Sequence, residues 1–360
     1  MKKIGGKMKK IVLLLGIMIL MITCGKKGTS GNGQINGSKE LNIYTWTYFI
    51  PEEVIEDFQK ETGIKVNLSY YDSNDVMITK LMSGAKGFDI ISPSTDYVDI
   101  LIKSGLIEKL DKTKLSNIYS NLDPSLKFDE LSEIYDPGLN YSIPYTYSAT
   151  GIAVNKKFMK EYPKTFDIFS QNQYKGKMTM LDDGRETLGA ALQFLGYPSD
   201  SVNDMELQAA KNKLIEWKRN LAKFDATAFG KSVATGEFYA AHGYAENVYG
   251  ELDESEYENF DYFIPKGAMM YIDSMAIVKG APNIENAYKF LEFLYRPENF
   301  IKVYEQFKAP SVIKGIEEKS SVRSIVKVSQ VVENAKLPGA LSDQAKEKHD
   351  KIWSEVKLSN

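Results

Sequence analysis

Acidic and aromatic side chains gather at four places in this 360-residue chain. They are Tyr44-Thr45-Trp46-Thr47-Tyr48-Phe49, Ser94-Thr95-Asp96-Tyr97, Asp182-Asp183-Gly184-Arg185-Glu186 and Tyr271-Ile272-Asp273. Carboxylates beside aromatic faces suit organic cations, because charge pairs with charge while rings stack on methylenes or ammonium groups. Each cluster alone has a second reading, since acids at helix N-termini serve as caps and dipole partners. For Asp182, capping and ligand contact both stand open. Four such clusters at the ends of elements argue together for a cation site.

Other chemistries find less support. The chain has only two histidines, His242 and His349, far apart, and one cysteine, Cys24, with no CxxC or HExxH spacing, so a zinc site or a cysteine nucleophile is not indicated. His349, on a polar terminal helix from Leu341 to Leu358, is expected to be solvated. Gly84-Ala85-Lys86-Gly87 is a glycine pair without the GKS/T of a phosphate loop, and no GxGxxG follows a strand. Asp72-Ser73-Asn74-Asp75 lacks the glycine and distal glutamate of a calcium loop and reads as a helix N-cap. No G-x-S-x-G elbow is present. No catalytic residue and no metal ligand is assigned.

The elements that must position the clusters alternate between strand and helix. Leu41-Asn42-Ile43-Tyr44 reads as a strand; Pro51 opens a helix with Val54, Ile55 and Phe58 on one face, stopped by Gly63; Ile64 to Leu68 alternates as a second strand. A helix through Met77, Leu81 and Met82 leads to a third strand, Phe88 to Ile91. After Tyr141-Ser142-Ile143-Pro144-Tyr145 come strands Gly151 to Val154 and Lys177 to Leu181, then helices Arg185 to Leu195 and Asp204 to Leu221. Asp261 to Pro265 leads to a strand from Tyr271 to Ile277 at a domain crossing, and a capped helix spans Asn283 to Tyr295. The pattern predicts α/β lobes built on mixed, mostly parallel sheets, with ligands bound beyond the carboxyl ends of the strands.

The N-terminus sets the compartment. Lys2, Lys3, Lys7, Lys9 and Lys10 precede the apolar run Ile11 to Ile22, which reads as a secretory signal too short to span a bilayer comfortably. Cys24 closes that run and resembles the lipobox cysteine of bacterial lipoproteins, although Met21-Ile22-Thr23 lacks the usual leucine and the small residue before the cysteine. Residues 25–39, rich in Gly, Ser and Asn, read as a flexible tether. Removing residues 1–23 takes five lysines and no acid from a chain whose formal charge is already −3, which argues against a nucleic-acid partner. No other segment is apolar and long enough to be a membrane helix.

From Leu41 to Lys357 the chain resembles the spermidine/putrescine-binding proteins of bacterial ABC importers. The resemblance rests on Tyr44-Thr45-Trp46-Thr47 with Pro51, on Phe58 and Glu61-Thr62-Gly63-Ile64-Lys65-Val66, and on Pro93-Ser94-Thr95 with Asp96-Tyr97-Val98-Asp99. It continues in Asn121-Leu122-Asp123-Pro124, Tyr141 to Tyr145, Asp182 to Glu186 and Asp273-Ser274-Met275-Ala276-Ile277. It implies a two-lobed periplasmic-binding-protein fold of type II, with the ligand in the interlobe cleft. The implied boundaries are a signal peptide at 1–23, a tether at 24–40, lobe 1 at 41–146 with 272–316, and lobe 2 at 147–271 with 317–360.

Carried over by position, Trp46 and Thr47 line the first lobe, Asp183 and Glu186 supply carboxylates from the second, and Asp273 holds an ammonium near the crossing. Tyr244, in the segment Ala241 to Glu246, and Tyr271 stand where the family usually has tryptophan. Ser94 and Glu246 complete the candidate set. Tyr48 replaces a glutamate, Phe49 a tyrosine and Asp96 a tyrosine, so one acid is lost and another gained. An inward Asp96 replaces the lost acid; an outward one is a helix cap. The resemblance implies a monomeric, surface-anchored lipoprotein that captures a polyamine for an ABC permease, without catalysis or cofactor, on the periplasmic or outer cell face. The alternatives are another organic cation, such as a basic amino acid or a thiamine-like molecule, and an extracellular hydrolase, which the absent nucleophile–base pair disfavours.

Overall fold

The computed structural model describes residues 38–47 and 49–359. Cys24, the signal segment and Tyr48 therefore lie outside the described residues. In chain order the strands are β1 (Glu40–Trp46), β2 (Lys65–Tyr71), β3 (Ile90–Ile91), β4 (Ser142–Pro144), β5 (Ser148–Ala149), β6 (Gly151–Asn155) and β7 (Met178–Met180). They continue with β8 (Leu221–Phe224), β9 (Ala240–Gly243), β10 (Phe260–Phe263), β11 (Ala268–Tyr271), β12 (Ser274–Ile277) and β13 (Ala335–Lys336).

Two five-stranded sheets form the lobes, ordered β2-β1-β3-β12-β4 and β10-β6-β9-β7-β8, and a small sheet β13-β11-β5 lies at the crossing. Both large sheets are mixed, with parallel and antiparallel pairings in equal number rather than mostly parallel. The reason is connectivity. Both antiparallel pairings of the first sheet involve β12, by which the chain returns, and both in the second involve β6, by which the chain enters.

Local chemistry explains the opening βαβ unit. The helix Glu52–Thr62 starts after Pro51, buries Val54, Ile55 and Phe58, and stops at Gly63, whose φ of 66° is the left-handed geometry a glycine tolerates. Ser73 caps the helix Asn74–Met82 by accepting from the Val76 N–H, and that helix buries Met77 and Leu81. Met82, expected on the buried face, is exposed. The helix Asp204–Lys218 ends short of Leu221, because the Asn220 side chain donates to the Phe169 carbonyl and the chain turns into β8. Asn283 precedes the helix Ile284–Leu294 without capping it; its backbone and side-chain N–H groups both donate to the buried Asp89 carboxylate.

Ile152, Val154, Met178 and Met180 cover one face of the second sheet together with Trp217, Phe166 and Met269. Ala153, Leu181 and Ala241 belong to a core that runs on into the first sheet through Ile43, Ile90 and Met275. The alternation along β6 thus supplies two cores from one strand. Beyond residue 316 the chain bonds back to the helix Pro297–Phe307 and its end, the Tyr304 hydroxyl donating to Val322 O and the Ile325 N–H to Lys308 O. His349 is buried rather than solvated, 3% exposed with Nε2 2.8 Å from Ser201 O. Its helix, Asp343–Leu358, is polar in sum but turns Ala345, His349 and Val356 inward.

Candidate functional site

The sequence-predicted residues sit at the carboxyl ends of strands. Trp46 ends β1, and Ser94 and Asp96 follow β3 at the start of the helix Thr95–Lys103. Asp183 follows β7, Tyr244 and Glu246 follow β9, Tyr271 ends β11, and Asp273 occupies the step from β11 to β12. Open α/β sheets bind ligands there, because loops diverge at that edge and helix N-termini point to it.

Asp273 is the fixed point. Its carbonyl accepts from the Tyr145 and Thr146 N–H groups, which ties the outgoing crossing to the returning one. Its carboxylate accepts from Ser94 Oγ at 2.6 Å and Thr146 Oγ1 at 2.9 Å. Burial raises its pKa, and the two hydroxyl donors oppose that rise.

Around it stand four further acids. Burial drives the Glu186 carboxyl up to about 8, helped by the Asp183 carboxylate and opposed by the Thr150 hydroxyl and Arg185. Burial also takes Glu246 to about 7; its own N–H opposes the rise, Asp273 adds to it and the Tyr271 hydroxyl opposes it. Asp96 rises to about 6 by burial, held down by Arg185 and pushed up by Asp273 and Asp183. Asp96 is thus coupled electrostatically to acids from the crossing and from the second sheet. Arg185, the cation coupled to Asp96 and Glu186, directs its guanidinium to the carbonyls of Ser199 and Gly339 at 3.1 and 2.6 Å. The site therefore gathers five carboxylates, of which Asp96, Glu186, Glu246 and Asp273 are made costly to ionise by burial.

Aromatic rings complete the walls. Tyr244 and Tyr271 meet edge to face with centroids 5.5 Å apart, and the Tyr244 hydroxyl is influenced by Glu186, Asp183, Glu246 and Asp273 together. Trp46 packs edge-on against Tyr71 at 4.6 Å and donates its indole N–H to Ser92 O. Thr47 is exposed in the turn after β1, and Tyr48 lies outside the described residues.

A family model described as bacterial extracellular solute-binding protein matches residues 53–329. The chain belongs to that family. It is 38% identical over 275 residues to the spermidine/putrescine-binding periplasmic protein of Escherichia coli K12, covering 75% of this chain and 77% of that protein. It is 33% identical over 298 residues to the putrescine-binding periplasmic protein SpuD of Pseudomonas aeruginosa, covering 78% and 80%. The crystal structure of the TpPotD lipoprotein of Treponema pallidum superposes with a TM-score of 0.83 at 35% identity, covering 89% of this chain and all of that one. The fold is thus the two-lobed type II architecture of periplasmic solute-binding proteins.

Within this solute-binding protein one expectation is decided. Asp182 neither caps nor faces the cluster: it pairs with Lys357 at 3.1 Å, and the cap is Asp183, whose Oδ1 accepts from the Glu186 N–H at 3.0 Å. Gly184 is required next to that cap, because a Cβ there would lie 2.8 Å from the Trp353 ring.

Sequence reading missed a row of hydroxyls. Thr146, Ser148 and Thr150 recur every second residue through the crossing, so an extended chain turns all three to one side. Thr146 bonds Asp273, Ser148 bonds the Tyr271 hydroxyl, and Thr150 bonds Glu186. The signal was available, since alternating hydroxyls in a buried strand each require a polar partner.

Proposed function

We propose that this protein is an extracytoplasmic solute-binding lipoprotein that captures a polyamine, spermidine or putrescine, in the interlobe cleft and delivers it to an ABC importer. The observation carrying this reading is the convergence of Asp96, Asp183, Glu186, Glu246 and Asp273 from both lobes onto one aromatic-walled cleft. Several weakly compensated acids spread along a groove suit a flexible chain of separated ammonium groups better than a single compact charge. The relatives from Escherichia coli and Pseudomonas aeruginosa carry names for spermidine/putrescine and putrescine binding, which supports the cargo class.

In this reading Asp273, Glu186 and Glu246 bind ammonium groups, Ser94 holds Asp273 in place, and Trp46, Tyr244 and Tyr271 receive the methylenes. Thr47 closes the first-lobe side. The Asp96 carboxylate replaces the acid lost at Tyr48. Among the described residues neither histidine offers a base to the cleft: His242 is fully buried against Phe166, and His349 is bonded to Ser201. In this reading the protein binds and releases its cargo unchanged, as a monomer without cofactor. Diacylation at Cys24 holds it at the membrane, a reading supported by the treponemal relative's description as a lipoprotein.

Closing the lobes over the ligand brings α/β elements of both sides together. Lys346 on the Asp343–Leu358 helix reaches Asp75 on the Asn74–Met82 helix at 3.9 Å, and the Tyr97 hydroxyl bonds Asp75 as well. A thermal-shift and calorimetric panel of putrescine, cadaverine, spermidine, spermine, basic amino acids and thiamine tests the assignment. A polyamine that binds tightly supports it, and stabilisation by thiamine or an amino acid alone replaces the cargo.

A further inference from the structure

We propose that Thr150 is a positioning residue that lets Glu186 hold a proton in the empty cleft and surrender it when an amine arrives, coupling capture to proton release. The inference rests on the polyamine reading for its ligand, but the device is read from the geometry around Glu186.

Thr150 is fully buried at the entrance to β6. Its hydroxyl has one proton and two acceptors within reach, Glu186 Oε2 at 2.9 Å and Met269 O at 3.3 Å. With Glu186 ionised, the hydroxyl donates to the carboxylate. With Glu186 neutral, the carboxylic acid donates to Thr150 Oγ1, and the hydroxyl proton turns to the Met269 carbonyl. Both protonation states are thus fully bonded by one rotation of one hydroxyl. A buried carboxylate with a donor alone as its neighbour would be satisfied in one state only.

The groups facing Glu186 come from every side. Asp183 and Arg185 lie on its own helix, Asp96 reaches it from the Thr95–Lys103 helix, and the Tyr244 and Tyr262 phenols face it from the second sheet. Arg185 is the only cation among those groups, and its guanidinium bonds Ser199 O and Gly339 O. The proton therefore stays on Glu186 near neutral pH, consistent with a carboxyl raised to about 8 by burial and Asp183. An entering ammonium replaces the missing positive charge. The proton passes to cleft water and the buffer, and the Thr150 hydroxyl swings from Met269 O to Glu186 Oε2.

Putrescine binding measured calorimetrically at pH 7 in phosphate and in Tris reads the protons released. The expected result is an enthalpy that differs between the buffers by a substantial fraction of one proton, with affinity falling on the order of tenfold per pH unit below 8. Thr150→Ser keeps the hydroxyl and this profile. Thr150→Val removes the stronger bond to the charged form and the weaker one to the neutral form, so the profile moves up by about one pH unit. Carbon-13 NMR of the Glu186 carboxyl in the ligand-free protein follows the same midpoint without any amine. Buffer-independent enthalpies alongside tight putrescine binding overturn the coupling and leave the transport reading intact. Identical Glu186 midpoints in wild type and Thr150→Val overturn the role of Thr150, even if neither putrescine nor spermidine binds and the transport reading itself fails.

Discussion

Ser94 and Asp273, 179 residues apart, face each other as an isolated antiparallel bridge, with Ser94 Oγ donating to Asp273 Oδ1 at 2.6 Å. The bridge joins the loop after β3 to the return crossing, so the acid at the centre of the cleft is fixed by first-lobe backbone. Thr146 holds the second carboxylate oxygen from the outgoing crossing. Both oxygens are oriented before any ligand arrives, which reduces the ordering cost of binding.

Asp273→Asn keeps the shape and removes the charge. An amide also leaves one of the two hydroxyl donors without an acceptor. Calorimetry is expected to show amine binding weakened by about 2–5 kcal/mol, while denaturant unfolding stays cooperative. Wild-type affinity in the Asn variant would make Asp273 purely structural.

Asp96 tests the exchange of one acid for another within the first lobe. Its coupling to Asp273, Asp183 and Arg185 favours an inward charge over a pure cap. Asp96→Asn should cost at least about 1 kcal/mol for whichever of spermidine and putrescine places an ammonium against it, and less for the other. Unchanged affinities for both amines would return Asp96 to the role of cap.

The ligand-free protein should lose stability as pH rises from 7 to 9. The folded Glu186 carboxyl stands near 8 against an ordinary 4.5, so from pH 7 until the folded group itself titrates near 8 the folded state holds a proton that the unfolded chain has already released. Its contribution is complete below the unfolded value and is lost as pH passes through the folded one. The lowered histidines act in the opposite direction but finish titrating in the unfolded state near 6.5, outside this window. Thermal midpoints at pH 7, 8 and 9 are expected to fall in wild type and to fall less in Glu186→Gln. A midpoint that rises across this range contradicts the buried-acid picture.

Cys24→Ala is expected to yield a protein that is not acylated and still binds ligand, because Cys24 precedes the folded residues that carry the site. Two acyl chains anchor firmly where one is marginal, so the variant should move from the membrane to the soluble fraction. Mass spectrometry of the native protein settles it: an intact Met1 with a free thiol excludes lipidation.

The sequence by itself determined the lobes' building blocks and which acidic and aromatic residues stand at the strand ends of the candidate site. Proline and glycine punctuation around the Glu52–Thr62 helix is local chemistry, and it appears at Pro51 and Gly63 where the pattern placed it. Strand ends bearing Trp46, Asp96, Asp183, Glu246 and Asp273 were legible because acids and aromatics there contrast with the apolar strands before them. Tertiary structure decided what contacts between distant segments decide. Strand direction in each sheet followed from where the chain crosses, which no local period records. His349 went from solvent to interior because its helix found the Asp204–Lys218 helix to pack against, and polarity averaged over a helix hides one buried stripe. Asp182 and Asp183 are chemically identical neighbours; Lys357 on the terminal helix takes the first, and the helix N-terminus takes the second. The hydroxyl row of Thr146, Ser148 and Thr150 was written in the sequence, but its partners Asp273, Tyr271 and Glu186 lie between 36 and 127 residues away along the chain. Side-chain alternation fixes which way such a row points, and only the folded crossing fixes what it meets.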